Sequence, residues 1–204
     1  VSREKGYGRE TRAERMEENR ERLLRSGRLA FARDGFAAAS MDDLTAAAGL
    51  TRGALYHTFG DKKGLLAAVV AMVDGEMAAR AKQAGAQAET PWEALLAEGA
   101  AYIEMALDPE IRRIVLLDGP AFLGDPSQWP SQNACLELTK SAVADLVESG
   151  VMRPVDVEAA ARLLSGAAFN AALWVAASPT PDETLPNAIT AFQMMAQGFL
   201  ASRS

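Results

Sequence analysis

The 204-residue chain has one cysteine and one histidine. A lone Cys135 cannot form an intramolecular disulfide and fits a reducing compartment, so a cytoplasmic location is expected. Its thiol reads as a small, buried, apolar group. A lone His57 cannot build a His-based metal site, nor a His-containing triad away from its own segment. No G-x-x-x-x-G-K-[ST] phosphate loop is present. No uninterrupted apolar run approaches the ~18 to 20 residues of a membrane span. The charged N-terminal stretch is not followed by the apolar core of a secretory signal. No β-alternation of useful length appears. Catalytic residues, metal and cofactor are therefore all expected to be none, and a membrane is not an expected partner.

Two alternatives stay open at this point. Carboxylates such as Glu104 and Asp118 could support acid–base chemistry in an all-helical enzyme, although nothing in the sequence pairs them. A dimeric scaffold that never touches DNA is the other.

What the chain does have is an uneven charge. The net charge is −6. Residues 1–64 carry 13 basic and 10 acidic residues, and residues 65–204 carry 8 and 17. A basic head on an acidic body follows. Half the residues are apolar, enough for a sizeable core in one large or two small domains.

Helical periodicity runs throughout. Leu23, Leu24, Gly27, Ala30 and Phe31 share one face of a first helix, read from about Glu17 to Arg33. Gly35 ends it and Phe36 turns back to the core. The stretch from Ser40 to Phe59, SMDDLTAAAGLTRGALYHTF, reads as helix, tight turn, helix. Ser40 opens the first of these with Asp43 as its capping-box partner. Met41, Leu44 and Ala48 face inward, and Gly49 supplies the left-handed corner. Thr51 caps the second helix, which turns Leu55 and Phe59 inward. Arg52, Gly53, Tyr56, His57 and Thr58 are left on the outer face, which suits the major groove of DNA. Lys62 starts a longer helix to about Lys82.

Further along, Thr90-Pro91-Trp92-Glu93 and Asp108-Pro109-Glu110 are helix starts. Asp118-Gly119-Pro120 reads as a break, Gly124 to Pro130 as a loop, and Ser178 to Pro186 as another. Helices are predicted over about Gln132–Glu148 and Val155–Ala177, and after the second loop to about Ala201, about nine in all. The segment LLSGAAFNAALWV, Leu163 to Val175, is apolar on nearly all sides and must be covered on all sides. With Ile189, Phe192, Met195 and Phe199 of the last helix it is read as a homodimer interface.

The residues from about Leu23 to Leu66 resemble the TetR family of transcriptional regulators. The joint pattern comprises Phe31, Gly35-Phe36, Ser40-Met41, Leu44, Ala47, Gly49-Leu50-Thr51, Gly53, Leu55-Tyr56, Phe59, Lys62 or Lys63, and Leu65-Leu66. The resemblance implies an all-α homodimer. Residues 1–64 would form an N-terminal arm and helix-turn-helix domain, the motif itself at about 40–59. Residues 65–204 would form a linker helix and an effector-binding and dimerisation domain. The implied function is a ligand-responsive DNA-binding regulator, a repressor released from a palindromic operator by a small molecule. By position, Arg52 and Gly53 would meet bases. Ser40, Thr51, Tyr56, His57, Thr58 and Lys62 complete the DNA-facing set, mostly through phosphates. Asp42 and Asp43 depart from the pattern by placing negative charge beside the phosphate path. A basic tail of Arg3, Lys5, Arg9 and Arg12 could act as a minor-groove arm or as a solubilising segment. Candidates for the effector site are Trp92, Tyr102, Met105, Phe122, Trp129, Phe169, Asn170 and Trp174, around an apolar or aromatic effector. Asn170 stands out as an amide in an apolar helix that needs a partner.

Overall fold

In the computed structural model of the chain, residues 11–201 are described. The fold is all-α, and the described residues fall into two compact units, one up to Ala68 and one from Val69. Of the basic tail only Arg12 is described, as the first residue of a helix; Arg3, Lys5 and Arg9 lie outside the described residues.

Helix α1 (Arg12–Ala38) starts earlier than Glu17, because Thr11 and Glu14 cap it reciprocally. Thr11 Oγ1 accepts from the Glu14 amide at 3.2 Å, and the Glu14 carboxylate accepts from the Thr11 amide at 2.6 Å. That is a capping box inside a charged stretch. Gly35, at φ 77°, breaks the helical path as expected. Leu23 and Phe31 are fully buried on the inner face. Helix α2 (Met41–Ala47) and helix α3 (Arg52–Phe59) pack on it. Ser26 ties α1 to α2 by donating to the Leu44 carbonyl at 2.7 Å.

Helix α4 (Lys62–Gly85) is capped by Asp61, whose carboxylate accepts from the Gly64 amide at 2.6 Å. It gives Leu65 and Leu66 to the first unit and Val69, Val73 and Met77 to the second, all essentially without exposure.

The second unit is built around helix α9 (Val157–Ala177), which packs on α5 (Pro91–Glu104), α8 (Pro130–Glu148) and α10 (Pro181–Gln197). Thr90 and Glu93 make the capping box of α5. Between α5 and α8 the chain does not break at Asp118-Gly119-Pro120. Helix α6 (Pro109–Ile111) passes into a π-helical stretch, Arg112–Asp118, and on into α7 (Gly119–Leu123). Pro120 falls in the first turn of α7, where a missing amide is tolerated. Likewise α10 begins at Pro181, so Pro186 lies inside a helix rather than closing a loop. The last helix ends at Gln197, not Ala201. Residues after it pair with the α8–α9 connection through an isolated antiparallel bridge, Met152 to Leu200. The Arg153 amide donates to the Phe199 carbonyl at 2.9 Å.

Phe192 is buried within its own protomer, where it presses on Gly99 so closely that a Cβ there would sit 2.4 Å from the ring. It therefore belongs to the α5–α10 contact and not to a dimer surface. On these two helices the large apolar residues left outside are Leu163 and Trp174 of α9, and Met194 and Met195 of α10. Helix α9 is long and apolar enough to cross a membrane by length and composition, but its inner face forms the core of this unit.

Candidate nucleic-acid interface and ligand cavity

The helix-turn-helix is held from within. Leu44 and Leu55 are buried to the last percent, and Gly49 adopts φ 64° at the corner. A side chain at Gly49 would also collide with the Arg22 guanidinium, 2.5 Å from the position of a Cβ. Ser40 and Thr51 cap α2 and α3, each hydroxyl accepting a backbone amide at 3.3 Å. The reciprocal half of the Ser40 box is absent among these contacts, since Asp43 contributes only its amide.

Outward from this frame lie Arg52, Gly53, Tyr56, His57 and Thr58, all exposed. Thr58 spends its hydroxyl proton on the Ala54 carbonyl at 2.8 Å. Arg52 is gripped by Asp42, which takes its Nε–H and, at 2.6 Å, an Nη2–H. The acidic residue that looked misplaced in the sequence thus has a partner across the turn. Asp42 also sits in the first turn of α2, where the helix dipole favours negative charge.

Gly53 is a helical glycine without an internal reason. A Cβ there would meet only Thr51 Oγ1, at an ordinary 3.6 Å. Glycine in a helix costs about 1 kcal/mol relative to alanine. Lys62 is folded back rather than outstretched. Its ammonium lies 4.7 Å from the centre of the Phe36 ring and 3.4 Å from the Ala37 carbonyl. Partial burial there lowers its pKa.

The second unit contains an apolar cavity of about 110 Å³ among α4, α5, α8, α9 and α10. Of the eight residues proposed from sequence for the effector, Tyr102 lines it. Trp129, Phe169 and Tyr102 form an adjoining aromatic group, with ring centres 6.4 Å apart at both contacts. The Trp129 indole N–H is buried without an acceptor. Trp92 packs on the core cluster centred on Leu95 and Leu164, and Met105 is buried. Phe122 is half-buried and away from the cavity wall. Asn170 and Trp174 lie exposed on the outer face of α9, so the amide in the apolar helix points away from the cavity side.

Sequence reading missed the polar centre beside the cavity. Asp74 of α4 has no exposure. Gln132 Nε2 donates to both of its oxygens, at 2.9 and 3.1 Å, and to the Tyr102 hydroxyl at 3.1 Å. The buried Ser131 hydroxyl has no well-formed bond of its own, yet lies near enough to favour the charged form of Asp74. Burial outweighs these donors and raises the Asp74 pKa. The Tyr102 hydroxyl is pushed well up by burial and then by Asp74. The Cys135 thiol is pushed up to about 11 by the same two causes, so it stays neutral. A signal existed: Asp74 continues the Leu66, Val70 spacing of the buried face of α4, where a carboxylate is out of place.

Comparison with known proteins follows the same division. Residues 23–69 match the bacterial regulatory proteins of the tetR family, and residues 92–199 match the tetracyclin repressor-like C-terminal domain. None of the curated proteins matches the chain. Among solved structures, a TetR-family transcriptional regulator from Pectobacterium atrosepticum is 44% identical. The match covers 95% of this chain and all of that one, with a TM-score of 0.84. RolR in complex with resorcinol shares the fold at 16% identity and a TM-score of 0.66, covering 95% of this chain and all of its own. The fatty acid degradation regulator FadR from Bacillus halodurans does so at 16% and 0.65, covering 98% of this chain and all of its own.

Proposed function

The chain belongs to the TetR family of transcriptional regulators, and from that premise we propose that it acts as a homodimeric repressor released from DNA by a small molecule. The unit up to Ala68 reads the operator, and the unit from Val69 binds the effector and the second copy. The observation that carries the reading is the outer face of α3. It presents Arg52 in a fixed orientation, a glycine that internal packing does not require, and an exposed Tyr56-His57-Thr58 edge. Arg52 and Gly53 meet bases. Tyr56, His57 and the caps Ser40 and Thr51 meet phosphates. Lys62 joins them by leaving Phe36, since an ammonium stacked on a ring at the surface is weakly held.

Assembly rests on the outer face of α9 with α10. Leu163 and Trp174 are more than half exposed, as is Met194. Gly166, on the same face, has no neighbour within 4 Å of a would-be Cβ. A second copy packed there would cover the apolar side of α9 that its own unit leaves open, and Asn170 would find its partner across that contact. The small effector enters the cavity beside Tyr102. RolR, of the same fold, holds resorcinol. A protein working on operator DNA resides in the cytoplasm.

An electrophoretic shift against the DNA upstream of its own gene tests the first half. A sharp, salt-sensitive shift that excess unrelated DNA does not abolish is the expected result. No preference over unrelated DNA would overturn the reading.

A further inference from the structure

We propose that the cavity beside Tyr102 selects small apolar ligands that carry a hydrogen-bond donor head, neutral or cationic, and rejects anionic, acceptor-only ones. The inference rests on the effector reading above and narrows its chemistry.

The argument follows the protons of the polar wall. Gln132 has two amide hydrogens, and both are spent, one on the Asp74 carboxylate and one on the Tyr102 oxygen. The carboxylate fixes which way the amide faces, because the reversed amide would set oxygen against oxygen. The Tyr102 proton is drawn to Asp74 as well. Thr139 gives its proton to the Cys135 carbonyl at 3.2 Å, and Ser165 gives its own to Thr139 at 3.4 Å. All four residues line the cavity. What they have left for a ligand is lone pairs. The Cys135 thiol is neutral and only a weak donor.

The one strong cation on the wall is already paired. Lys82 is bound to Glu98 at 2.9 Å, and both line the cavity, so that end is balanced. Behind Gln132 and Tyr102, Asp74 is held by neutral groups alone. When ionised, a carboxylate buried among neutral groups sets a negative field with no cation beside it. A donor head against the Gln132 carbonyl meets both an acceptor and that field. A carboxylate head meets lone pairs and like charge, an unpaired arrangement that costs affinity. The volume limits the body of the ligand. An enclosed apolar cavity on the order of 150 Å³ accepts benzene; this one, of about 110 Å³ and partly open past the exposed Leu138, seats a ring of that size or smaller.

Four matched probes read this out on the full-length protein at pH 7: benzylamine, benzyl alcohol, toluene and benzoate, by calorimetric titration in the millimolar range. Benzylamine and benzyl alcohol should bind at least about tenfold more tightly than benzoate, since an unmatched buried polar head costs on the order of 1.4 kcal/mol or more. A lead of the amine over the alcohol assigns part of the selectivity to Asp74's charge; parity assigns it to hydrogen bonding alone. Benzoate equal to or ahead of the donor probes, or no binding by either donor probe, overturns the proposal. Asp74→Asn frees the Gln132 amide to turn and should shrink the preference severalfold, although position 74 does not touch the cavity. Gln132→Met gives a second reading, with the donor probes weakened and toluene, which reports the intact cavity, unchanged. Donor preference retained in both variants also overturns it. Operator affinity is measured alongside. Binding in the expected order with no effect on operator would uphold this chemistry and remove the effector role. Failure of the ligand-free protein to bind operator would remove the DNA reading instead.

Discussion

Asp42 holds Arg52 by two parallel hydrogen bonds across the corner of the helix-turn-helix. The pair joins the first turn of α2 to the first residue of α3. Both side chains are mostly exposed, so the bridge adds little to folding stability. Its effect is on direction. A bidentate carboxylate fixes the plane of the guanidinium, and a guanidinium in a fixed plane discriminates among base edges better than a mobile one.

Removing either partner should therefore separate affinity from specificity. Arg52→Ala should lose about 1–3 kcal/mol of discrimination for one base pair of the operator. Asp42→Ala removes a negative charge from the proposed phosphate path and frees Arg52. Binding to unrelated DNA should strengthen while the ratio of operator to unrelated DNA falls. Titrations at several salt concentrations with both DNAs check this. A ratio unchanged in Asp42→Ala would mean that the pair has no part in reading sequence.

Gly53 allows a sharper contrast. Its substitution by alanine meets no internal obstacle, so the fold should gain up to about 1 kcal/mol. DNA affinity should nevertheless fall, because in the proposed docking the added methyl group stands between α3 and the groove. Thermal unfolding and operator titration on the same variant test both signs. A variant that is more stable and binds normally would move the groove contact away from Gly53.

The head was legible in sequence because every one of its signals is local. Ser40, Gly49, Thr51 and the inward Leu44 and Leu55 each do in the structure what their types dictate. The resting place of Lys62 could not be read, because its ring partner Phe36 and its acceptor Ala37 both lie near the end of α1, 25 residues from Lys62 to Ala37. The cavity was legible only at Tyr102. Apolar bulk marked Trp92, Met105 and Trp129 equally well, yet these fill core or adjoin it. The polar centre is made by residues 74, 102 and 132, far apart in sequence, and only packing brings them together. Pro120 and Pro186 misled in the same direction. Each reads as a break, and each is taken up inside a helical run because the neighbouring turns tolerate one missing amide.

The proposed dimer surface yields a prediction that avoids the protomer core. Gly166→Leu adds bulk where its own chain leaves open space, so the folded protomer should persist. A close helix–helix contact between copies would not accommodate it. Light scattering should give about twice the 21.7 kDa chain mass for the unaltered protein and close to one chain mass for the variant. Trp174→Glu should act the same way by placing a charge on that face. Dimers that survive both changes would put the interface elsewhere.

Asp74 makes the last prediction, on stability against pH. Burial raises its pKa above the ordinary aspartate value. The folded state then holds the proton to higher pH than the unfolded state does. Between the ordinary value and the raised one the folded state carries more protons, so stability falls as pH rises through that interval and is level above it. The neighbouring Tyr102 and Cys135 remain neutral throughout, since both are pushed upward from values already well above neutrality. Asp74→Asn removes the ionising group while keeping its shape. Subtracting variant from unaltered protein cancels the other carboxylates, which are common to both. The variant should be the more stable of the two near pH 7, and the difference should shrink as pH falls toward 4. Urea unfolding midpoints across that range measure it. A variant less stable at every pH would show that the bonds from Gln132 outweigh the cost of burying the charge.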